Sequence, residues 1–288
     1  MYFLFDIGGT KTRLGIASGG KILKPTILPT PKRMEDGLLA VGAFLKEKSA
    51  IGKIKASVGG VAGVLDASKT KLLNSPNLPG WSGKPLKKEL ERTVKAPARL
   101  ENDAALAALG EASRGAAKGK NIAVYITVGT GVGGARILDG GIDRGIFEPG
   151  HQIIVPSGAV CSCGGRGHLE AYVSGFSIKK HYKKEPGEIT DSKIWDEAAR
   201  FLAYGIHNAL VFWSPDIIIL GGSMIIKNPG ISIEKIKACL LKIAAPFSKL
   251  PPVKKAVLGD WGGLYGGLTL IQKNNFQQDG LRGRRRNF

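Results

Sequence analysis

Residues 2–17 read YFLFDIGGTKTRLGIA, which is an apolar stretch, a glycine turn and a second stretch of β-forming residues. Gly8 and Gly9 have no Cβ, so the backbone N–H groups of the turn can approach an anion closely, and the Thr10 hydroxyl is a further donor. Asp6, at the end of the first strand, is suited to hold Mg²⁺ directly or through water. The stretch therefore predicts a β-hairpin that binds a polyphosphate, although the same pattern also serves plain hairpin turns.

A second glycine turn, with Gly129, Thr130 and Gly131, follows a predicted strand at 121–128 and precedes a returning strand at 135–138. Because both halves of the chain begin with the same strand–turn–strand pattern, we predict an internal structural duplication and a clamp for nucleotide phosphates. The Gly- and Lys-rich segment 115–120 marks the boundary between an N-terminal α/β domain, 1–117, and a C-terminal α/β domain, 118–288. The last helix, predicted near 265–273, is a candidate to return to the N-terminal domain.

Composition indicates a globular protein rather than a disordered or membrane-spanning one. The chain has 288 residues, 43% of them hydrophobic, and its 42 basic and 23 acidic side chains give a net charge of +19. That length supports a sizeable core and about two domains. No apolar run approaches the roughly 20 residues of a spanning helix, and the N-terminus lacks the features of a signal peptide. Three cysteines are too few for a disulfide framework, so we expect a reducing, cytoplasmic environment.

The basic excess lies outside the middle of the chain, because residues 101–200 hold 12 basic and 12 acidic side chains. The lysines elsewhere are scattered and form no stripe with interleaved aromatic residues, so we expect no nucleic-acid partner. The one dense cluster, Arg282-Gly-Arg284-Arg285-Arg286, is predicted to be a solvated, disordered end rather than a binding arm.

Short motifs along the chain carry a resemblance to a known family. In order they are Asp6-Ile-Gly-Gly-Thr-Lys11, Glu101-Asn102-Asp103, Thr127-Val-Gly-Thr-Gly-Val-Gly-Gly134, Glu148-Pro-Gly-His151, Cys161-Ser-Cys163-Gly-Gly-Arg-Gly-His168-Leu-Glu170 and Ile219-Leu-Gly221-Gly222-Ser223. This series resembles the ROK family of sugar kinases and repressors over residues 2–270. The resemblance implies an actin-like ATPase (ribonuclease H-like) fold, with two α/β domains around a cleft that binds ATP, Mg²⁺ and a hexose. It also implies a homodimer.

The resemblance assigns a role to each matching residue. Asp103 would be the general base that takes the proton of the attacking sugar hydroxyl, whereas the residues alone also allow an ordinary helix cap at Asn102 or Asp103. Glu170 would contact the sugar, although it also suits a first-turn helix acid. The full set of implied sugar contacts is Gly60, Asn77, Asn102, Asp103, Glu148, His151 and Glu170. The implied nucleotide contacts are Asp6, Gly8, Gly9, Thr10, Lys11, Gly129, Thr130, Gly131, Gly221 and Gly222, of which the last two also suit a strand-to-helix turn.

The fourth and fifth motifs together supply a candidate metal site. His151, Cys161, Cys163 and His168 supply nitrogen and sulfur ligands at a spacing suited to tetrahedral zinc. The family has a third cysteine at the position of His168, so this chain departs from the pattern there. Because zinc accepts Cys₂His₂ as well as Cys₃His, we expect a structural zinc ion that orders the loop and orients His151 between metal and sugar.

The segment Pro76-Asn77-Leu-Pro-Gly80-Trp81 bears on the choice of sugar. A similar segment reaches the sugar in glucokinase-like members of the family, so we expect glucose as the substrate, with N-acetylmannosamine, N-acetylglucosamine or fructose as alternatives. A sugar-responsive transcriptional regulator is a further alternative. Regulators of the family carry a helix-turn-helix ahead of the kinase-like body, and because the first phosphate loop begins at residue 6 we expect an enzyme.

Overall fold

The structure, a computed structural model, describes residues 1–48, 52–75, 77–145, 147–244, 247 and 249–284, with side chains as far as Lys273. Contacts within the chain divide it into two compact units. The first comprises Met1–Gly110 and the segment that begins at Asp260, and the second comprises Glu111–Gly259. The C-terminal helix therefore belongs to the first unit, and residues 111–117, which the sequence analysis assigns to the first domain, lie in the second unit.

The elements are numbered in chain order. The strands are β1 (Tyr2–Ile7), β2 (Lys11–Ser18), β3 (Lys21–Pro29), β4 (Ala56–Val61), β5 (Val64–Leu65), β6 (Leu72–Asn74), β7 (Ala98–Asn102), β8 (Ile122–Val128), β9 (Val132–Leu138), β10 (Gly141–Ile142), β11 (Ile217–Gly221) and β12 (Val253–Lys255). The helices are α1 (Met34–Glu47), α2 (Leu86–Val94), α3 (Asp103–Arg114), α4 (Glu170–Val173), α5 (Gly175–Tyr182), α6 (Ser192–Trp213), α7 (Ser223–Ile226), α8 (Ile233–Ile243) and α9 (Gly262–Arg284).

Each unit is built on a five-stranded sheet, and the two sheets have the same topology. The strand order is β3-β2-β1-β4-β7 in the first unit and β10-β9-β8-β11-β12 in the second. In each sheet the first two pairings of that order are antiparallel. The last two pairings are parallel. The predicted duplication is thus confirmed, and each copy begins with a hairpin closed by a glycine turn.

The core of the first unit explains why its sheet is a firm support for the site. Phe3 and Phe5 on β1 are fully buried, as expected for a central strand covered on both faces. Leu38, Val41 and Phe44 of α1 belong to the same buried cluster as these two residues, and the rings of Phe3 and Phe44 are 6.1 Å apart. Burial of each such side chain contributes about 1.5–3 kcal/mol. The loops that follow the strands are therefore held at fixed positions along the sheet edge.

Some predicted elements differ from the structure for local reasons. The apolar pattern of residues 169–180 predicts a helix, but the structure has two, because Ser174 has an extended backbone between α4 and α5 and its Oγ accepts the Ser177 N–H at 3.1 Å. The short strands β7 and β12 were not predicted. Gly59 and Gly60 lie within β4.

Among the residues that the structure describes, none of the helices combines the length and the apolar character needed to cross a bilayer. The basic cluster predicted to be a disordered end begins inside α9, which continues to Arg284, while Arg285 and Arg286 lie outside the described residues.

Candidate active site and metal cluster

Three elements of the first sheet bring Asp6 and Asp103 to the same edge. Asp6 on β1 is paired in register with Gly60 on β4, and Gly60 is paired with Glu101 on β7. These strands are parallel, so their carboxyl ends meet at one edge of the sheet. Asp103 follows β7 directly as the first residue of α3, and a Cβ on Gly60 would lie 2.8 Å from its Cα. Only glycine at position 60 allows this approach.

The start of α3 decides between the two capping residues that the sequence allowed. The Asn102 Oδ1 accepts the Ala105 N–H at 3.0 Å, and its Nδ2 donates to the Gly63 carbonyl at 3.3 Å. Asn102 is therefore the cap of α3. The Asp103 Oδ1 accepts the Ala104 N–H at 2.8 Å, which turns the carboxylate towards the positive end of the helix. Asp103 is partly buried and is thus held in place without being the cap.

Burial and mutual repulsion set the ionisation of the two carboxyls. Loss of water raises the pKa of Asp6 to about 7, Asp103 adds to that rise, and Arg13 opposes it. Loss of water also raises the pKa of Asp103, against the stabilising effects of the Ala104 N–H and Arg13. Each carboxyl is therefore a stronger proton acceptor than an exposed aspartate.

Asp6 has one oxygen that the chain leaves without a donor. Its Oδ2 is 3.3 Å from Arg13 Nη1, but Oδ1 is buried and has no hydrogen-bond partner among the described residues. A buried carboxylate oxygen without a donor is unfavourable unless an ion or water meets it. Asp6 Oδ1 therefore fits a Mg²⁺ ion or one of its bound waters.

Arg13 lies between Asp6 and Asp260 and pairs with both carboxylates. Neither Arg13 nor Asp260 was predicted from the sequence as a site residue. Asp260 accepts from Arg13 Nε at 3.1 Å and from Lys11 Nζ at 3.3 Å. Lys11, expected to meet a phosphate, is thus tethered beside the first turn. The hairpin register could have revealed Arg13, which lies opposite Asp6. Asp260 had no local signal, because it lies 247 residues from Arg13 in the sequence.

The first glycine turn packs directly on the segment that contains Asn77. A Cβ on Gly9 would lie 2.6 Å from the Asn77 Cβ, so Gly9 allows the two backbones to come together. The Trp81 indole anchors this segment, since it is 2% exposed and its Nε1 donates to the Pro31 carbonyl at 2.9 Å. The structure therefore brings Asn77, Gly9, Asp6, Gly60 and Asp103 together within one unit.

In the second unit, hydrogen bonds fix the backbone of the Gly129–Gly131 turn. The Gly175 N–H donates to the Gly129 carbonyl at 2.8 Å, and the Phe176 N–H donates to the Thr130 carbonyl at 3.1 Å. The Thr130 side chain is exposed. The turn therefore has a rigid frame with a hydroxyl on its open side, which suits an anion.

Local packing requires glycine at positions 221 and 222, whether or not a nucleotide binds there. A Cβ on Gly221 would lie 2.3 Å from the Tyr125 Oη. Gly222 has a φ of +87°, and its Cβ would lie 2.3 Å from the Val128 carbonyl oxygen. The strand-to-helix turn between β11 and α7 thus requires both glycines, and a contact with adenosine stays a prediction.

The predicted metal ligands converge in the second unit. One ligand atom from each of His151, Cys161, Cys163 and His168 lies within 4.8 Å of the others. Cys161 Sγ is 3.8 Å from His151 Nδ1, and Cys163 Sγ is 3.2 Å from His168 Nδ1. A Cβ on Gly165 would lie 2.3 Å from the His168 ring, so glycine leaves room for this imidazole. Two sulfurs and two nitrogens at these separations fit tetrahedral zinc.

The surroundings of the cluster include two residues expected at the sugar. Burial raises the pKa of the Cys161 thiol, and the nearby Glu170 carboxylate acts in the same direction. Both Glu170 oxygens have partners in the chain, Ser162 Oγ at 2.7 Å and the Val132 N–H at 2.8 Å. The Glu148 carbonyl accepts the His151 N–H at 3.0 Å in the short helical turn Pro149–His151.

Two sheets of equal topology, each opened by a hairpin with a glycine turn, define a protein with the actin-like ATPase fold. The chain belongs to the ROK family, whose sequence profile matches residues 2–274. It is 37% identical over 185 residues to a glucokinase of Streptomyces coelicolor, an alignment that covers 62% of this chain and 58% of that protein. It is 30% identical over 310 residues to an N-acetyl-D-glucosamine kinase of Pectobacterium atrosepticum, covering 96% and 100% of the two chains.

Solved structures agree with this placement. A ROK hexokinase of Thermus thermophilus superposes with a TM-score of 0.79 at 30% identity, over 94% of this chain and 98% of that one. A ROK family glucokinase of Streptomyces griseus, in complex with glucose and AMPPNP, gives a TM-score of 0.79 at 28% identity, over 93% and 98%. The predicted family and fold are confirmed.

Proposed function

We propose that this chain is an ATP-dependent hexose kinase that converts glucose to glucose 6-phosphate. The observation that carries the proposal is the placement of Asp103 beside Gly60 and Asp6 at one sheet edge, with the pKa of both carboxyls raised. A carboxylate with a raised pKa is a better acceptor for the proton of a sugar hydroxyl. Family membership agrees with this chemistry.

The reaction is an in-line displacement on the γ-phosphorus. The sugar hydroxyl oxygen forms a bond to that phosphorus, the bond to the oxygen that bridges the β- and γ-phosphates breaks, and ADP leaves. The hydroxyl proton passes to the Asp103 carboxylate. Because the transition state is loose, the enzyme needs chiefly to orient the hydroxyl and to neutralise charge on the phosphates.

The two glycine turns and Asp6 would handle the phosphates. We assign phosphate contacts to Gly8, Gly9, Thr10, Lys11, Gly129, Thr130 and Gly131, and adenosine contacts to Gly221 and Gly222. The free Oδ1 of Asp6 would hold Mg²⁺ or one of its waters. When bound, that ion supplies positive charge to the β- and γ-phosphate oxygens.

The sugar would be held through its hydroxyl groups. We assign hydroxyl contacts to Gly60, Asn77, Asn102, Glu148, His151 and Glu170. The cluster of His151, Cys161, Cys163 and His168 would hold a structural zinc ion, which fixes the loop and the ring of His151. The cysteines are free thiols, in keeping with a cytoplasmic enzyme, and we propose a homodimer.

N-acetylglucosamine is the second candidate substrate. The specific observation in its favour is that an N-acetyl-D-glucosamine kinase aligns with 96% of this chain, whereas the glucokinase alignment covers 62%. The segment around Asn77 and Trp81 favours glucose. N-acetylmannosamine and fructose belong to the same test.

A panel of sugars tests the proposal. Purified protein is given ATP, Mg²⁺ and one sugar at a time, and ADP release is followed with a coupled assay. We expect the highest kcat/KM with glucose. A higher value with N-acetylglucosamine would move the assignment to the second candidate, and no release with any sugar would refute a hexose kinase.

A further inference from the structure

The second glycine turn and the metal cluster meet at Val132. The Val132 N–H donates to Glu170 Oε2 at 2.8 Å, and Glu170 lies two residues after the metal ligand His168. Gly150, the residue before His151, packs on the carbonyl side of Val132, where its Cβ would lie 2.5 Å from the oxygen. Gly150, next to His151, and Glu170, close to His168, therefore both contact Val132 at the end of the turn.

The other Glu170 oxygen faces the cysteines. Oε1 accepts the Ser162 hydroxyl at 2.7 Å, and the Cys161 Sγ lies 3.8 Å away. Ser162 stands between the two cysteine ligands in the sequence. The Glu170 carboxylate thus connects the metal loop, residues 151–168, to the Gly129–Gly131 turn. Oε1 contacts the loop, and Oε2 contacts Val132 at the end of the turn.

The segment after Glu170 completes the frame of the turn. Gly175 and Phe176, the first residues of α5, donate their N–H groups to the carbonyls of Gly129 and Thr130. Within the described parts of the chain, the N–H groups of Thr130 and Gly131 donate to no other group. These two donors remain for a phosphate, and their direction depends on how firmly the 170–176 segment holds the turn.

We propose that Glu170 is a positioning residue that links the metal loop to the second phosphate turn, so that the bound metal raises the affinity of the chain for nucleotide. This inference rests on the proposed function. With the metal bound, Cys161 and Cys163 are fixed and hold Ser162 against Glu170. Without it the four ligands lose their common partner, Ser162 moves, and Glu170 no longer restrains Val132.

The test compares ADP binding by calorimetry, without sugar, in zinc-loaded and chelator-stripped protein. Loss of one hydrogen bond to a charged group corresponds to about a tenfold change, so we expect stripping to raise the Kd for ADP about tenfold. Glu170→Ala should raise it about as much in the loaded protein, without loss of zinc, and stripping this variant should then add less than about twofold. Glu197→Ala, a change at an exposed position of α6, is the matched control and should behave as wild type.

Further readouts keep the test decisive if stripped protein does not remain folded. Zinc-loaded Ser162→Ala should also bind ADP several-fold more weakly with its zinc content unchanged. Hydrogen exchange at the Val132 amide should speed up in Glu170→Ala and not in Glu197→Ala. Unchanged ADP affinity in both Glu170→Ala and Ser162→Ala would overturn the inference alone. Absence of any ADP binding by loaded wild-type protein would overturn the proposed function and the inference with it.

Discussion

Gly60 lies against the backbone of Asp103, where a Cβ on Gly60 would come within 2.8 Å of the Asp103 Cα and 3.3 Å of its nitrogen. The contact joins a central strand of the first sheet to the first turn of α3. It leaves Asp103 no space to move towards β4. The position of the proposed general base is therefore set by a residue that has no side chain.

Gly60→Ala should impair catalysis more than folding. The added methyl group must push α3 away from β4, which costs about 1–3 kcal/mol of unfolding free energy. A displaced base loses its alignment with the hydroxyl, so we expect kcat to fall about 100-fold. Steady-state assays and urea unfolding measure the two effects. The control is Gly42→Ala in α1, where the new Cβ would meet only Thr93 Cγ2 at 3.7 Å. Equal kcat in wild type and Gly60→Ala would show that this contact does not position Asp103.

Asp6 should make the protein less stable as the pH rises. Its folded-state pKa of about 7 lies above the ordinary aspartate value of 3.8, so the native state holds the proton more tightly than the unfolded state. The contribution of Asp6 to the unfolding free energy then decreases from about pH 4 to pH 7, by about 4 kcal/mol. Asp6→Asn cannot ionise and should escape this loss.

Urea unfolding in EDTA at pH 4.5, 6 and 8 checks that prediction. Wild type and Asp6→Asn should differ little at pH 4.5, and the variant should be the more stable at pH 8. Asp196→Asn removes an exposed ion pair with Lys235 at 3.0 Å, which contributes less than about 1 kcal/mol, so this variant should stay close to the wild-type profile. If the difference in unfolding free energy between wild type and Asp6→Asn stayed constant with pH, the pKa of Asp6 would not be raised.

Zinc binding should require a side chain at position 168 that can ligate the metal, and either histidine or cysteine should serve. We expect about one zinc per chain in wild type and in His168→Cys, and less than about half in His168→Ala and Cys163→Ser. Elemental analysis of protein purified without chelators gives the ratio. Cys239→Ser, which lies outside the cluster in α8, should keep its zinc. A full complement of zinc in His168→Ala would remove His168 from the site.

Sequence patterns predicted the parts of the fold that have strong local signals. The hairpins β1–β2 and β8–β9 combine apolar strands with glycine turns, and they form the corresponding antiparallel pair in each sheet. β7 and β12 escaped prediction, because Ala98–Asn102 and Val253–Lys255 are short and carry charged residues among few apolar ones. The break at Ser174 between α4 and α5 was not predicted, because a single serine between two helices changes the apolar pattern very little.

The candidate site shows the same division. Asp6, Asp103 and the cluster ligands lie in contiguous motifs, so the sequence alone could single them out. The ion pair of Arg13 with Asp260 and the hydrogen bond from Val132 to Glu170 join residues that are 247 and 38 positions apart in the chain. No local pattern specifies such pairs, because they form only when the strands and loops pack.

The central claim is that Asp103 takes the proton during transfer of phosphate to a hexose. It is tested most directly by the rate of ADP release from ATP and glucose in wild type, Asp103→Asn and the surface control Asp196→Asn, with ADP and glucose affinities measured alongside. We expect Asp196→Asn to match wild type and Asp103→Asn to lose at least about 100-fold in kcat, with both affinities preserved. Near-normal turnover by Asp103→Asn would contradict the role of Asp103.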